Sequence, residues 1–125
     1  MSKFYDILQE IKSKPKLYIK QPSLDFLEAF IMGYSFCENQ HNIIRDDCFK
    51  GFNEYIYKKY RIYIQNYNFF SIIRFFAITD EQAFYQFYED FEEFSKLSQE
   101  EKDTIVKEVE LNSKKYIETI ISFDN

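Results

Sequence analysis

Apolar residues at helical spacing are the feature that most restricts how this chain can fold. The clearest example begins at Thr79, which forms a capping box with Gln82 and so predicts the start of a helix. Behind this cap, aromatic residues recur every three or four positions and form one wide stripe: Phe84, Phe87, Tyr88, Phe91 and Phe94. A stripe of this period needs other elements to cover it, so the chain is predicted to be all-α.

Similar signals along the chain predict about five to six helices. The first helix, with Ser2 as its cap, should run to about Lys14, because Pro15 has no amide hydrogen and stops it. Residues 16–21 lie between two prolines and are predicted to form a linker or a single turn. The remaining helices are predicted from Ser23 to about Glu38, from Asp46 or Asp47 to about Tyr60, from Asn68 to Ala77, from Thr79 onwards, and from Ser98 to about Ser122. For residues 68–77 a buried strand is the alternative, because β-branched and aromatic residues are frequent there.

Four further predictions concern the organisation of the chain. Gly33 should allow a neighbouring backbone to come close to the second helix. The segment Arg61–Tyr67 alternates polar and apolar residues, which favours an extended connection, with a short strand as the alternative. A length of 125 residues is typical of one domain, so residues 1–125 are predicted to form a single helical bundle. The last helix should be lined on one side by Ile105, Val109, Tyr116 and Ile120.

The charge of the chain restricts its partners. The net charge is −5, and nine acidic residues lie between Asp80 and Asp103 against only Lys96 and Lys102. Nucleic acids and anionic membranes are polyanions, so neither is predicted as the main partner. A basic protein is the predicted partner, because an acidic face attracts positive charge.

The cellular location and the chemistry of the protein are also predicted from its residue types. The N-terminal segment is amphipathic rather than uniformly apolar, and two cysteines do not make a disulfide framework, so we expect a cytoplasmic protein with reduced Cys37 and Cys48. The one histidine, His41, lies in a polar loop whose cysteine and acid spacing matches no zinc signature. No nucleophile is paired with a base, so the sequence predicts no enzyme, no cofactor and no metal site.

A candidate binding face follows from projecting the helix after Thr79. Its predicted partner-binding residues lie on the side away from the phenylalanine stripe or at its flanks: Tyr85, Glu89, Asp90, Glu92 and Glu93. A face that only keeps a protein soluble usually mixes lysine with glutamate, whereas this one meets no lysine before Lys96. An aromatic residue among like charges is typical of an interface, with a solvated helix face as the alternative.

The middle of the chain suggests two other functions. Tyrosines alternate with Lys58, Lys59 and Arg61, which resembles a stacking platform for single-stranded nucleic acid, although core packing with hydroxyls at the rim explains the pattern more simply. Exposed aromatic residues such as Tyr57 and Tyr63 would instead serve an adaptor or self-associating module. We expect a monomer or a weak dimer.

Two groups of motifs go beyond composition. The first group comprises Lys14-Pro15-Lys16-Leu17-Tyr18-Ile19, Pro22-Ser23-Leu24, Phe26-Leu27, Phe30-Ile31 and Gly33-Tyr34. The second comprises Asn68-Phe69-Phe70-Ser71-Ile72-Ile73, Thr79-Asp80-Glu81, and Ala83-Phe84 with Phe87.

Together these strings resemble small bacterial immunity proteins encoded beside polymorphic or contact-dependent toxins. The likeness covers roughly residues 4–95; the family more often has tryptophan near Phe69 to Phe70, and the last helix is not matched. The resemblance implies a cytoplasmic inhibitor that binds its cognate toxin and blocks the toxin's active site. It names no contact residue, so the acidic face is assigned on physical grounds alone, with a nuclease as the favoured toxin.

Overall fold

The computed structural model describes residues 3–45 and 47–124, apart from the side chain of Asp124. Within these residues the chain forms seven α-helices and no strand, which confirms the all-α prediction. They are α1 (Lys3–Ser13), α2 (Pro15–Tyr18), α3 (Leu24–Gln40), α4 (Phe52–Tyr60), α5 (Phe69–Phe76), α6 (Asp80–Ser95) and α7 (Gln99–Asp124). The additional helix is α2, which lies in the segment between the two prolines that was predicted to be a linker or a single turn.

The local sequence predicts the starts of the helices better than it predicts other features of the fold. The Ser23 hydroxyl accepts from the Phe26 amide at 3.1 Å and caps α3. The Thr79 hydroxyl accepts from the backbone amide of Gln82 at 3.0 Å at the start of α6. At α7, Ser98 and Glu101 exchange side-chain and backbone hydrogen bonds, each 3.1 Å long. These three caps are confirmed, whereas the predicted cap at Ser2 lies outside the described residues.

The predicted start of α4 is wrong. The prediction placed it at Asp46, which lies outside the described residues, or at Asp47, but the helix begins at Phe52. Gly51 has φ of 86°, a left-handed conformation that an α-helix cannot contain. The Phe49 carbonyl accepts from the Phe52 amide at 2.8 Å, so a turn precedes the helix.

The prediction for Gly33 is also wrong. A Cβ atom placed on this residue would meet nothing within 4 Å beyond its chain neighbours and the backbone of its own helix, so no backbone of another described element approaches it. Gly33 instead lies on the exposed side of α3.

The segment Arg61–Tyr67 contains neither helix nor strand, which agrees with an extended connection. It is tied down by side chains from two helices. The Tyr57 hydroxyl donates to the Tyr67 carbonyl, and the Ser113 hydroxyl donates to the Tyr63 carbonyl at 2.7 Å. Regular pairing is therefore replaced by individual side-chain hydrogen bonds.

The described helices divide into two compact units, and α5 and α6 contribute residues to both. The first unit comprises the described residues up to 48 together with 73–89, and the second comprises 49–72 together with 90–124. The prediction of one domain over residues 1–125 stays a prediction.

The first unit has an aliphatic and aromatic core. Its fully buried side chains include Phe4, Leu8, Ile11, Leu24, Leu27, Ile73, Phe84, Phe87 and Tyr88. The buried Tyr88 hydroxyl donates to the Leu8 carbonyl at 2.7 Å, and burial raises the pKa of this tyrosine. The Asp80 carboxylate accepts from the Ser23 hydroxyl and from the Asp25 amide, so the starts of α3 and α6 are joined.

The second unit is held by a cluster of phenylalanine rings. The Phe52 ring lies 4.7 Å from Phe69, 5.5 Å from Phe91 and 5.2 Å from Phe94, measured between centroids. Tilted pairs of this kind add about 0.5–1.5 kcal/mol each beyond the burial of their area. The cluster therefore fixes α4 and α5 against the end of α6 within this unit.

Helix α7 is covered only near its start. Val109 is buried and Ile105 is half-buried, whereas Tyr116 and Ile120 are 39% and 41% exposed. The predicted apolar side of the last helix is therefore confirmed in its first half alone.

Candidate protein-binding face

Helix α6 carries all five residues of the predicted binding face, and the structure divides them. Tyr85 and Glu89 are exposed, and Glu92 is half-buried. Asp90 and Glu93 make hydrogen bonds and ion pairs to side chains of α4. The five predicted residues therefore fall into two groups: one lies on the outer side of α6, and the other pairs with side chains of α4.

Asp90 does not belong to a binding face, and its assignment there is corrected. The side chain is 0% exposed. Its carboxylate accepts from the Lys59 ammonium at 2.6 Å and from the Tyr60 hydroxyl at 2.7 Å. A buried carboxylate needs such partners because an unpaired one loses its hydration without compensation.

Glu93 is shared between the surface and the same cluster. Its side chain is 45% exposed, yet its carboxylate accepts from Lys59 at 2.8 Å and from the Tyr55 hydroxyl at 2.6 Å. The hydrogen bonds from Lys59 and Tyr55 lower the pKa of Glu93. A partner that engaged Glu93 would have to compete with both donors.

The remaining members of this internal cluster are perturbed in a consistent way. Burial acts to lower the pKa of Lys59, but its hydrogen bonds to Asp90 and Glu93 outweigh burial and raise it. The pKa of Tyr55 is raised by burial and by its hydrogen bond to Glu93, and that of Tyr60 by burial and its hydrogen bond to Asp90. Both tyrosines therefore stay protonated donors, and the cluster is a structural tie between α4 and α6.

What remains on the outside of α6 is a smaller acidic face. We call it the Tyr85 face: Glu81, Tyr85 and Glu89, spaced by four residues and so aligned along one side of the helix. Neither glutamate makes an ion pair with a described residue. Tyr85 is 50% exposed, and its ring meets the buried Phe84 ring edge-on at 5.2 Å. The face thus presents a supported aromatic ring between two unpaired negative charges.

The segment of alternating tyrosines and cations is used by the fold itself. Lys58 forms an ion pair with Glu108 at 3.0 Å, and Lys59 belongs to the cluster described above. Tyr57 is only 5% exposed. A stacking platform needs free rings beside free cations, so the geometry favours the simpler explanation, core packing with hydroxyls at the rim.

The route to self-association through Tyr57 and Tyr63 is likewise not supported as predicted. Tyr57 is buried, and the half-exposed Tyr63 ring stacks on Tyr116 with centroids 5.6 Å apart. One of the two proposed contact residues is thus absent from the surface.

A groove of about 500 Å³ lies in the first unit, beside α1 and the end of α3. Arg45, one of its lining residues, stacks over the Phe4 ring at 3.6 Å, pairs with Glu38 at 3.2 Å and donates to the Ser35 hydroxyl at 2.9 Å. The volume is that of a small-molecule site, but the guanidinium charge is already neutralised by Glu38. The Tyr85 face is therefore the better candidate for a charged partner.

Comparison with known proteins returns no relative: no family model, no curated protein and no solved structure matches the chain. The resemblance to immunity proteins accordingly stays a prediction. Among the described residues, no group of three or more histidine, cysteine, aspartate or glutamate side chains is placed to hold a metal ion. No described helix is both long and apolar enough to cross a membrane.

The sequence contained a signal for the burial of Asp90 that charge counting obscured. At ~100° per residue, Asp90 lies ~60° from Phe87 and ~40° from Phe94, at the flank of the buried stripe, where a neighbouring helix can cover it. Its partner Lys59 is 31 residues away on another helix. Residue spacing could identify the buried acid, but not the cation that neutralises it.

Proposed function

We propose that this chain is an immunity (antitoxin-type) protein that binds and neutralises a cognate bacterial toxin domain through the Tyr85 face. The observation that carries the proposal is the half-exposed Tyr85 ring between Glu81 and Glu89, two exposed carboxylates without an ion-pair partner in the described chain. The resemblance of residues 4–95 to immunity proteins supports the same function.

The charge of this face indicates a basic partner. Helix α6 places Glu81 and Glu89 about 12 Å apart along its axis, at a rise of 1.5 Å per residue. Like charges without counterions repel, so a cation from a partner is stabilising at both positions. A nuclease domain is the favoured toxin because its substrate cleft must itself be cationic. The two glutamates would occupy positions that the nucleic-acid phosphates take in the substrate.

Tyr85 supplies the specific part of the contact. Its ring is half-exposed and meets Phe84 edge-on, so little side-chain freedom is lost when a partner covers it. Aromatic anchors at the centre of an interface contribute on the order of 2 kcal/mol or more. The surrounding charges then set the rate of encounter and the orientation of the partner.

Inhibition in this proposal requires no bond to be made or broken. A protein seated over a cationic cleft excludes the substrate by occupying its volume and by neutralising its positive potential. A toxin that degrades intracellular nucleic acid acts in the cytoplasm, which is where we place the inhibitor.

A growth assay tests the function. The C-terminal domain encoded by the gene immediately upstream is expressed in a bacterial host, with and without this chain. We expect growth arrest without the chain and normal growth with it. Glu89→Lys should weaken protection, whereas Glu118→Lys, a charge reversal on the exposed side of α7, should protect fully. Continued growth arrest with the wild-type chain present in soluble form would refute the proposal.

A further inference from the structure

The outer side of α3 carries a row of exposed side chains that are themselves uncharged. Its members share exposure and lie within one sector of the helix: Phe26, Ala29, Met32, Gly33, Phe36 and Cys37. We call it the α3 face. Three of its side chains are large and apolar, with Phe26, Met32 and Phe36 exposed to 40%, 66% and 65%. Asp25, which pairs with Arg74 at 2.8 Å, lies in the same sector one residue before Phe26, and from Phe26 to Cys37 the sector holds no charged side chain.

We propose that the α3 face is the contact through which two copies of this chain form a reversible, antiparallel two-fold dimer. This inference does not rest on the proposed function, because α3 and the Tyr85 face use different residues. It identifies an interaction surface and its occupant, a second copy.

The order of large and small residues on this face is self-complementary. In an antiparallel pair centred near residue 31, Phe26 of one copy faces Phe36 of the other, and Ala29 faces Gly33. The rings then meet at both ends of the contact while the small residues meet at its middle, where the helices cross most closely. A two-fold interface requires this reciprocity, since each residue must fit its counterpart in both directions.

Electrostatics also favour a second copy on this face. Each molecule carries a net charge of −5, so most orientations of two copies bring like charges together. The members of the α3 face are uncharged, and Asp25 at its edge is already paired with Arg74, so two copies meet there without burying an unpaired charge.

The size of the face sets the strength of the contact. Large apolar side chains such as Phe26, Met32 and Phe36 offer ~150–250 Å² each. Their exposed fractions therefore correspond to roughly 400 Å² of apolar surface on each copy. Stable complexes bury ~800 Å² per partner, so the dimer belongs to the class of weak interfaces. It should form at protein concentrations on the order of 100 μM.

Sedimentation equilibrium from ~10 μM to ~1 mM tests the dimer. The wild-type mass should rise towards twice that of the monomer. Phe36→Glu should stay monomeric throughout, whereas Leu17→Glu, at an exposed apolar residue of α2, should associate like the wild type. A wild type that stays monomeric, an association that continues beyond the dimer, or a Phe36→Glu variant that still dimerises would overturn the proposal.

Gly33→Leu separates lost association from lost folding. The added side chain meets nothing within 4 Å at its Cβ, and leucine is a better helix former than glycine, so the melting temperature of the monomer should not fall. Dimerisation should nevertheless be lost, because the added side chain holds the two helices apart. Dimerisation at the wild-type concentration would place the contact elsewhere.

Cross-linking tests the antiparallel arrangement. Residue 32 of each copy lies near the two-fold axis, so a variant with Met32→Cys as its only cysteine should form a disulfide dimer on oxidation with diamide. The two copies of Cys37 are ~18 Å apart along the helix axes and exceed the ~7 Å reach of a disulfide. A chain with Cys37 as its only cysteine should therefore not cross-link, and the reverse result would contradict this arrangement.

Discussion

Replacing Asp90 by asparagine tests the internal cluster between α4 and α6. The substitution keeps the shape of the side chain and an acceptor for the Tyr60 hydroxyl, but it removes the charge that faces Lys59 at 2.6 Å. Breaking a fully buried ion pair costs about 3–5 kcal/mol. Lys59 is 29% exposed and keeps Glu93 at 2.8 Å, so we expect a loss of about 2–3 kcal/mol in the free energy of unfolding.

Urea unfolding, followed by circular dichroism at neutral pH, measures this loss. Folded proteins typically have about 5–15 kcal/mol of stability, so the shift in midpoint should be large. Glu93→Gln should cost less than about 1 kcal/mol, because its carboxylate is 45% exposed. Glu89→Gln, at an exposed glutamate without an ion-pair partner, is the matched control and should stay within about 0.5 kcal/mol of wild type.

A double-mutant cycle with Lys59→Met isolates the pair. If the two side chains stabilise each other as described, the double variant should be more stable than the sum of the single losses predicts, by about 1–2 kcal/mol. Additive losses, or an Asp90→Asn variant as stable as the Glu89→Gln control, would show that Asp90 and Lys59 do not stabilise each other.

Three further predictions concern single features of the fold. Ser23→Ala should cost about 1–2 kcal/mol in chemical unfolding, since the hydroxyl caps α3 and is itself buried; a wild-type midpoint would contradict this. Gly51→Ala should cost about 1–2 kcal/mol, because φ of 86° is strained for any residue with a Cβ atom, and a neutral effect would show that the turn differs. Above pH 10 the protein should lose stability progressively. Burial raises the folded-state pKa of Tyr60 and Tyr88, so their contribution is complete below the unfolded pKa near 10 and is lost as the pH rises towards the folded values. Unfolding midpoints measured from pH 7 to 12 check this, and constant stability above pH 10 would contradict it.

Local chemistry made much of the fold predictable. Helix starts depend on contacts within four residues, so Ser23, Thr79 and Ser98 were identified as caps without knowledge of the rest of the chain. The start of α4 was missed because the turn before it depends on the left-handed Gly51, whose conformation the surrounding acidic residues did not indicate.

The candidate site was less predictable because its charges are decided by distant residues. The sequence pattern predicts that Asp90 and Glu93 are surface acids. In the structure they accept hydrogen bonds from Lys59 and Tyr55 of α4, respectively. Exposure of Tyr85 followed from helical periodicity alone. Residue spacing therefore predicted the outward part of the face and failed where a tertiary contact neutralises the charge.

We propose that the Tyr85 face binds a basic toxin domain by charge and shape, and the rate of association is the property that depends most strongly on this face. Stopped-flow or surface plasmon resonance would measure the association rate constant over a range of salt concentrations, for wild type and for the Glu81→Lys/Glu89→Lys double variant, with the purified toxin domain. We expect an association rate at least about tenfold slower for the double variant and a flatter dependence on salt. Equal rates and equal salt dependence for the two proteins would contradict it.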